Sequence, residues 1–209
     1  MKIQIFDVEH GQCAAITCPP RNTVMLIDAG HNSTTNWRPS TYFKGRSIET
    51  LVVSNYDEDH TSDLPNLASQ CDLKTITRNQ SISAGQLYSI KNLTGGLGPG
   101  VSWLYKWLQG IEHPTGTPIV SHQDYGDVSW RIFANSYPAF TDANNLSVAT
   151  FVEYRGFKML FPGDLEKAGW SALWQRQDFR NCWHGTSVLM VSHYGCENGC
   201  FDDMFRTWQ

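Results

Sequence analysis

Residues 48–67 read IETLVVSNYDEDHTSDLPNL. The apolar run Leu51–Val53 predicts a buried strand, and a polar turn separates it from the helical pattern that follows. Because a tight loop at a strand end aims alternate side chains into one cavity, the donors of this turn can converge on a metal ion. These donors are Asn55, Asp57, Asp59 and His60. The alternative is a solvated acidic turn before a helix N-terminus, where aspartate is favourable in any case.

The composition indicates one globular domain over residues 1–209. Hydrophobic residues make up 41% of the chain and aromatic residues 12%, which is enough to build a large core. The formal net charge of -4 provides no overall basic surface, which argues against a broad grip on duplex DNA. A local basic rim that holds one phosphate backbone, or a small anionic substrate, stays compatible with this charge.

The N-terminal segment MKIQIFDVEHG enters a strand pattern at once and lacks the pattern of a secretory signal. No apolar run approaches the roughly eighteen residues that cross a bilayer, so we expect a cytoplasmic protein without membrane contact. The six cysteines are scattered, which favours reduced thiols. Cys196 and Cys200 resemble half of a zinc knuckle, but no second pair completes it.

Periodicity predicts a chain of strands with interspersed helices. Alternating residues predict an antiparallel meander over residues 2–8, 12–18 and 23–28. Further strands are predicted over residues 73–77, 129–134, 146–154, 157–161 and 187–192, with a tight hairpin at residues 154–157. Helices are predicted over residues 62–69, 101–109 and 165–175. Residues 79–100 lose periodicity and indicate a surface excursion or lid, and His113 and His122 are interpreted as exposed loop histidines.

Several predicted strands end in residues that can bind a metal. The third strand ends at Asp28, and His31 follows it. Asp164 follows the strand over residues 157–161, and His193 follows the strand over residues 187–192. Together with the turn after Val53, these strand ends predict a composite site.

The order of these segments resembles the metallo-β-lactamase fold, and within it the nuclease-like domain of the DNA-uptake protein ComEC. The matching segments, which span Ile3 to Gly195, are FDVEHGQCAAI, LIDAG, LVVSNYDEDHTSDL, NNLSVATFVEYRGFKMLFPGD and VLMVSHYG. The resemblance implies an α+β fold, an αββα sandwich with a one- or two-metal centre at one edge. In this family, metal-bound water attacks a carbonyl or phosphoryl centre.

The resemblance also implies roles for individual residues. Asp59 and His60 match the pair that holds the second metal, and Asp164 matches the carboxylate that bridges both ions. His193 matches the histidine that ends the penultimate core strand. Asp28 fits a supporting role behind the ligands, in which it orients the loop and its histidine.

The chain departs from the family at the first metal. Asn55 and Asp57 stand where the family has two histidines, and Asn144 or Asn145 lies in the region of its third. An oxygen-rich pocket of this kind can hold a harder ion, with Asn55 and Asn145 as additional ligands. The ions considered are Mn²⁺, Zn²⁺ and Mg²⁺. Alternatively, one site or both stay unfilled, and the domain is a binding or regulatory module on an enzyme scaffold.

The function expected from the resemblance is metal-dependent hydrolysis of phosphodiester bonds in nucleic acid or nucleotides. Asp57 and Asp59 would be its catalytic residues, with Asp57 as a ligand or general base. His31, Lys44 and Arg46 would neutralise substrate phosphate. The alternative function is a catalytically degenerate binding or regulatory module. A β-lactamase or thioester hydrolase is a weaker third reading, because those members depend on the missing histidines.

The resemblance ends at Gly195, whereas family members continue with further strands and a helix. We therefore expect a piece of a longer protein that lacks the C-terminal closing elements of the sandwich. A further domain or a partner chain would pack on that edge. The apolar residues expected to be exposed there are Phe201, Met204, Phe205 and Trp208.

Overall fold

The computed structural model describes residues 1–94, 96–112 and 125–207. Their eleven strands are β1 Lys2–Ile5, β2 Ala14–Cys18, β3 Thr23–Ile27, β4 Ser47–Ile48, β5 Thr50–Val52, β6 Asp72–Leu73, β7 Ile76–Thr77, β8 Ser129–Ala134, β9 Val148–Tyr154, β10 Phe157–Phe161 and β11 Val188–Leu189. Their helices are α1 Pro39–Tyr42, α2 Glu58–Thr61, α3 Leu64–Gln70, α4 Ala84–Leu93, α5 Pro99–Glu112, α6 Lys167–Trp174, α7 Gln177–Trp183 and α8 Asp202–Arg206.

The first large sheet has the order β1-β2-β3-β5-β7. Strands β1, β2 and β3 pair antiparallel, so the predicted meander is confirmed, and β5 and β7 then join in parallel. The parallel pairing of β3 with β5 places the carboxyl ends of both strands at one edge. There, the backbone N–H of Asp28 donates to the carbonyl oxygen of Val52 at 2.9 Å.

The second large sheet has the order β11-β10-β9-β8, with β11 parallel to β10. The predicted hairpin between β9 and β10 is confirmed, since Tyr154 pairs with Phe157. Arg155 and Gly156 have φ values of 51° and 83°, the left-handed conformation that a two-residue hairpin loop needs at both positions. Strands β4 and β6 form a separate two-stranded sheet.

Three apolar clusters separate four layers of structure. One packs the first sheet against α3, α4 and α5, the second lies between the two large sheets, and the third packs the second sheet against α6 and α7. The order of layers is therefore helix, sheet, sheet, helix, and the predicted α+β class is confirmed. Apolar residues on both faces of β2 supply two of these clusters, Ala15 on one side and Ile16 on the other.

The prediction of an irregular excursion over residues 79–100 is wrong, because α4 lies within it. Ser83 begins this helix with a capping box, in which its hydroxyl accepts from the backbone of Gln86 while the Gln86 side chain accepts from the backbone of Ser83. Leu87 and Ile90 are buried against the first sheet. The flanking Ser, Gly and Asn residues obscured a helical stripe that was present in the sequence.

The C-terminal segment packs against the second sheet's helices, contrary to the prediction that its apolar residues are exposed. Met204 is buried in the third cluster, Phe201 packs beside it, and the Trp170 indole N–H donates to the carbonyl oxygen of Gly199 at 3.0 Å. Phe205 is exposed, as predicted. Trp208, His113 and His122 lie outside the described residues. Within the described ranges, no helix has the length and apolar character that a membrane span requires.

Candidate functional site

The carboxyl ends of β3 and β5 meet the loop after β10 and bring three predicted site residues together. His60, at 1% exposure, lies between two carboxylates. Its Nδ1 atom is 2.8 Å from Asp28 Oδ2, and its Nε2 atom is 3.2 Å from Asp164 Oδ2. The turn after β5 and the loop before α6 thus meet at one imidazole ring.

Asp28 is the buried anchor of this arrangement. Its carboxylate accepts hydrogen bonds from the backbone N–H of Ser54, at 2.6 Å, and from the Ser54 hydroxyl. Burial raises the pKa of Asp28, although His60 and Ser54 oppose that change. Burial disfavours protonation of His60, but Asp28 and Asp164 outweigh it and raise the His60 pKa well above its usual range. The geometry is that of a buried imidazole ring held between two carboxylates.

Two glycines of the matching segments make room for α2. A Cβ atom on Gly11 would lie 2.0 Å from the Asp59 carbonyl oxygen, and a Cβ atom on Gly30 would lie 2.4 Å from the same oxygen. Both contacts are far below van der Waals distance. On its other side, the Glu58 carboxylate accepts from the backbone N–H groups of Gly100 and Val101, which open α5. The short helix α2 is therefore fixed from both sides.

The side-chain amide of Asn55 is engaged with protein groups. Its Nδ2 atom donates to Asn144 Oδ1 and to Ser147 Oγ, each at 3.2 Å. Its Oδ1 atom accepts from the backbone N–H of Asp57 at 2.8 Å, which closes a tight turn. The backbone N–H of Asp164 donates to the same Ser147 hydroxyl at 3.1 Å. Asn55 thus connects the turn after β5 to the segment between β8 and β9, and its amide oxygen accepts from the backbone of its own turn.

Asp57 forms an ion pair with a lysine that the sequence analysis missed. The Lys91 ammonium donates to Asp57 Oδ1, and the side chains are 5% and 33% exposed, respectively. Lys91 lies on the buried stripe of α4, four residues after Leu87. A lysine on an apolar helical stripe was the available signal, because a buried ammonium requires a counter-charge.

Glu166 is a second residue that the sequence analysis missed. Its Oε1 atom accepts from Asn144 Nδ2 at 3.1 Å and lies 3.7 Å from His193 Nδ1. The Ser192 hydroxyl donates to the Leu165 carbonyl oxygen at 2.6 Å, which holds the segment before His193 against the same loop. The structure therefore places His193 beside Glu166. The signal in the sequence was a second acidic residue two positions after Asp164.

A cavity of about 250 Å³ opens beside these groups. It is lined by Asp57, Thr94, Asp142, Ala143, Asn144, Asn145 and Glu166. Three of these side chains carry carboxylates and one of the three, Asp57, is paired with Lys91. The cavity therefore has a negative electrostatic potential, which repels a phosphate group that arrives without a cation.

Four other predicted site residues have different roles in the structure. Asn145 accepts from the backbone N–H of Gly169 at 2.8 Å, so its amide oxygen serves α6. His31 Nδ1 lies 2.6 Å from the Ser62 hydroxyl. Lys44 and Arg46 are exposed in the turn before β4, whereas the site lies beyond the far end of β5. That these two cations contact a substrate phosphate therefore stays a prediction.

The donors predicted for the first metal are engaged with protein groups. His60 Nε2 and Asp164 Oδ2 are placed like two ligands of one ion. However, the ranges 1–94, 96–112 and 125–207 contain no group of three or more His, Cys, Asp or Glu side chains arranged to hold a metal. Asp59 is half-buried, with its backbone against Gly11 and Gly30. The predicted ligand Asp57 is occupied by Lys91, and Asn55 is occupied by its amide hydrogen bonds.

Comparison with known proteins adds no family assignment. No protein-family model matches the chain, and no curated protein matches it.

Proposed function

We propose that this chain is a binding or regulatory module on a metallo-β-lactamase-like αββα sandwich, and that it does not hydrolyse its ligand. The observation that carries the proposal is the ion pair between Asp57 and Lys91. Asp57 stands where the resemblance expects a ligand of the first metal. Here an ammonium group of the protein is bound instead.

Electrostatic magnitudes favour this reading over metal-dependent hydrolysis. Two unit charges of like sign 4 Å apart repel by about 4 kcal/mol at an effective dielectric constant near 20, and a divalent ion doubles that figure. A metal bound to Asp57 would have to meet this repulsion or displace a side chain that is 5% exposed. A metal that also took Asn55 Oδ1 as a ligand would compete with the hydrogen bond that this oxygen accepts from the backbone N–H of Asp57.

The ligand proposed for the cavity is a nucleotide, or a nucleic-acid phosphate, accompanied by its own Mg²⁺. Mg²⁺ commonly binds through substrate phosphates and one or two carboxylates while it keeps several waters. Asp142 and Glu166 line the cavity and supply carboxylates of that kind. This makes a magnesium-bound nucleotide a better ligand than a free phosphate.

Two measurements on the purified protein test the proposal. Calorimetry with ATP should show binding in the presence of Mg²⁺ that weakens at least tenfold in EDTA and in Glu166→Gln. Turnover of bis(p-nitrophenyl) phosphate in Mn²⁺, Zn²⁺ or Mg²⁺ should not exceed that of Asp164→Ala. Hydrolysis that Asp164→Ala abolishes would contradict the proposal.

One observation favours a second candidate, the metal-dependent phosphodiesterase that the resemblance implies. His60 Nε2 is buried, meets Asp164 Oδ2 at 3.2 Å and lacks a hydrogen bond of good geometry. A single ion between these two atoms would account for that contact. The same turnover assay separates the two candidates, because only the phosphodiesterase loses activity when Asp164 is removed.

A further inference from the structure

We infer that Lys91 is a built-in cation that replaces a metal ion beside Asp57, so that this half of the site is stable without any metal. The inference deepens the proposed function and rests on it. It assigns to Lys91, on α4, a role that the resemblance did not indicate.

The helix α4 presents the Lys91 ammonium in a fixed position. The capping box at Ser83 fixes the first turn, and Leu87 and Ile90 bury the same face against the first sheet. At the other end, the Lys91 carbonyl oxygen accepts from the backbone N–H groups of Thr94 and Gly96, at 3.2 and 2.8 Å. The side chain therefore leaves a helix held at both ends, and it is 5% exposed where its ammonium group meets Asp57.

The backbone of Asp57 is held in place as well. The backbone N–H of Asp57 donates to Asn55 Oδ1, and its carbonyl oxygen accepts from the Thr61 hydroxyl at 3.1 Å and from the backbone N–H of His60 at 3.1 Å. Because both partners are positioned by their own backbones, little further ordering is needed for the pair to form. A pair of this kind differs from a mobile surface salt bridge.

The charge replacement has a direct consequence for metal dependence. If Lys91 supplies the positive charge, the native state gains nothing from Mn²⁺ or Zn²⁺ at this position, and binding linkage then leaves the melting temperature unchanged. If a metal belonged there, saturating ion would raise the melting temperature by several degrees.

A double-mutant cycle tests the inference. Lys91→Met keeps the apolar stem and removes the charge, and Asp57→Asn keeps the shape of its partner. Each single change should lower the melting temperature by roughly 5 °C, because each leaves one charge without its partner. The double variant should melt no lower than the less stable of the two single variants, since it removes both charges. Lys106→Met, at an exposed position on the neighbouring helix α5, is the matched control and should shift the melting temperature by about 1 °C or less.

Metal titration of the wild-type protein and of Asp57→Asn completes the test. Melting of the wild type in EDTA and in about 1 mM Mn²⁺ or Zn²⁺ should agree within about 1 °C. A rise of several degrees that Asp57→Asn abolishes would overturn the inference, whereas a rise that persists in Asp57→Asn comes from an ion bound elsewhere and supports Lys91 as the cation at Asp57. Single-variant losses that simply add in the double variant would also overturn the inference. Should Lys91→Met fail to fold, Asp57→Asn and Lys91→Arg replace it. Asp57→Asn should lower the melting temperature, whereas Lys91→Arg, which keeps the positive charge, should melt close to the wild type. These readouts are independent of turnover, so failure of this inference is distinguishable from failure of the proposed function.

Discussion

The site has an inner half and an outer half, centred on His60 and Asp57 of the same turn, and their ionisable side chains are paired with different kinds of partner. In the inner half, His60 is buried between Asp28 and Asp164. In the outer half, Asp57 is 33% exposed at the cavity and pairs with Lys91. Both halves balance buried charge with groups of the protein itself. The inner half keeps the residue types that the resemblance expects, whereas the outer half has exchanged imidazoles for an amide and a carboxylate.

The inner half is shielded from solvent, whereas Asp57 of the outer half reaches the cavity. Charges removed from water depend fully on their partners, so the inner half tolerates little change. The outer half has one partner in contact with solvent, which weakens its electrostatic interactions. Substitutions in the inner half should therefore cost folding free energy, and substitutions along the cavity should cost binding.

The largest effect is expected for Asp28→Asn. The change keeps the side-chain volume but removes the charge that faces His60 and places an amide N–H₂ group against donors. The free energy of unfolding should fall by about 3–5 kcal/mol, measured by urea denaturation. Asp127→Asn is the control, because Asp127 and its partner Arg155 are both exposed, and it should leave the denaturation midpoint unchanged. Equal effects of the two substitutions would remove the distinction between a buried and a solvated charge.

A smaller loss of folding free energy is expected for Gly30→Ala, which tests the close approach of Gly30 to α2. The added Cβ atom would meet the Asp59 carbonyl oxygen at 2.4 Å, and backbone on both sides would have to move. The free energy of unfolding should fall by up to about 3 kcal/mol. Gly110→Ala, where a Cβ atom meets nothing within 4 Å, should instead stabilise α5 by about 0.5–1 kcal/mol. Destabilisation of similar size in both variants would contradict the close approach at Gly30.

Asn55→Ala should cost about 2 kcal/mol, less than the change at Asp28, because the groups it leaves unpaired are uncharged. Asn144, Ser147 and the backbone N–H of Asp57 would each lose one hydrogen bond. Denaturation of Asn66→Ala provides a comparison, since the Asn66 side chain donates to Asp63 Oδ1 at 2.8 Å within its own segment of the chain. A loss of folding free energy at Asn55 no larger than that at Asn66 would show that the link between the turn after β5 and the segment before β9 is weak.

The smallest effect is expected for Arg46→Ala. Arg46 is exposed and stacks on the Phe43 ring at 5.3 Å, away from the cavity. The free energy of unfolding should change by about 0.5 kcal/mol or less, and the affinity for magnesium nucleotide should stay within a factor of two. A tenfold loss of affinity would place the ligand on the turn before β4 and would restore the phosphate contact expected from the sequence.

Local periodicity predicted most of the strands and the tight hairpin at Arg155 and Gly156, because alternation and turn chemistry are local properties. It failed at α4, where a buried stripe of four residues stands between loop-like flanks. It also failed at Met204, because burial of a terminal apolar residue depends on whether another part of the chain reaches it.

By itself, the sequence determined the mixed α and β character of the chain and the strand ends at which Asp28, His60 and Asp164 lie, since apolar runs that stop at polar residues are local patterns. Only the tertiary structure decided which donors are already occupied. Lys91 is 34 residues from Asp57, and Asn144 is 89 residues from Asn55. Pairing over such separations depends on how the layers pack, and no local pattern encodes it. For this reason, only the structure shows that Asp57 of this turn pairs with Lys91 and that His60 lies between Asp28 and Asp164.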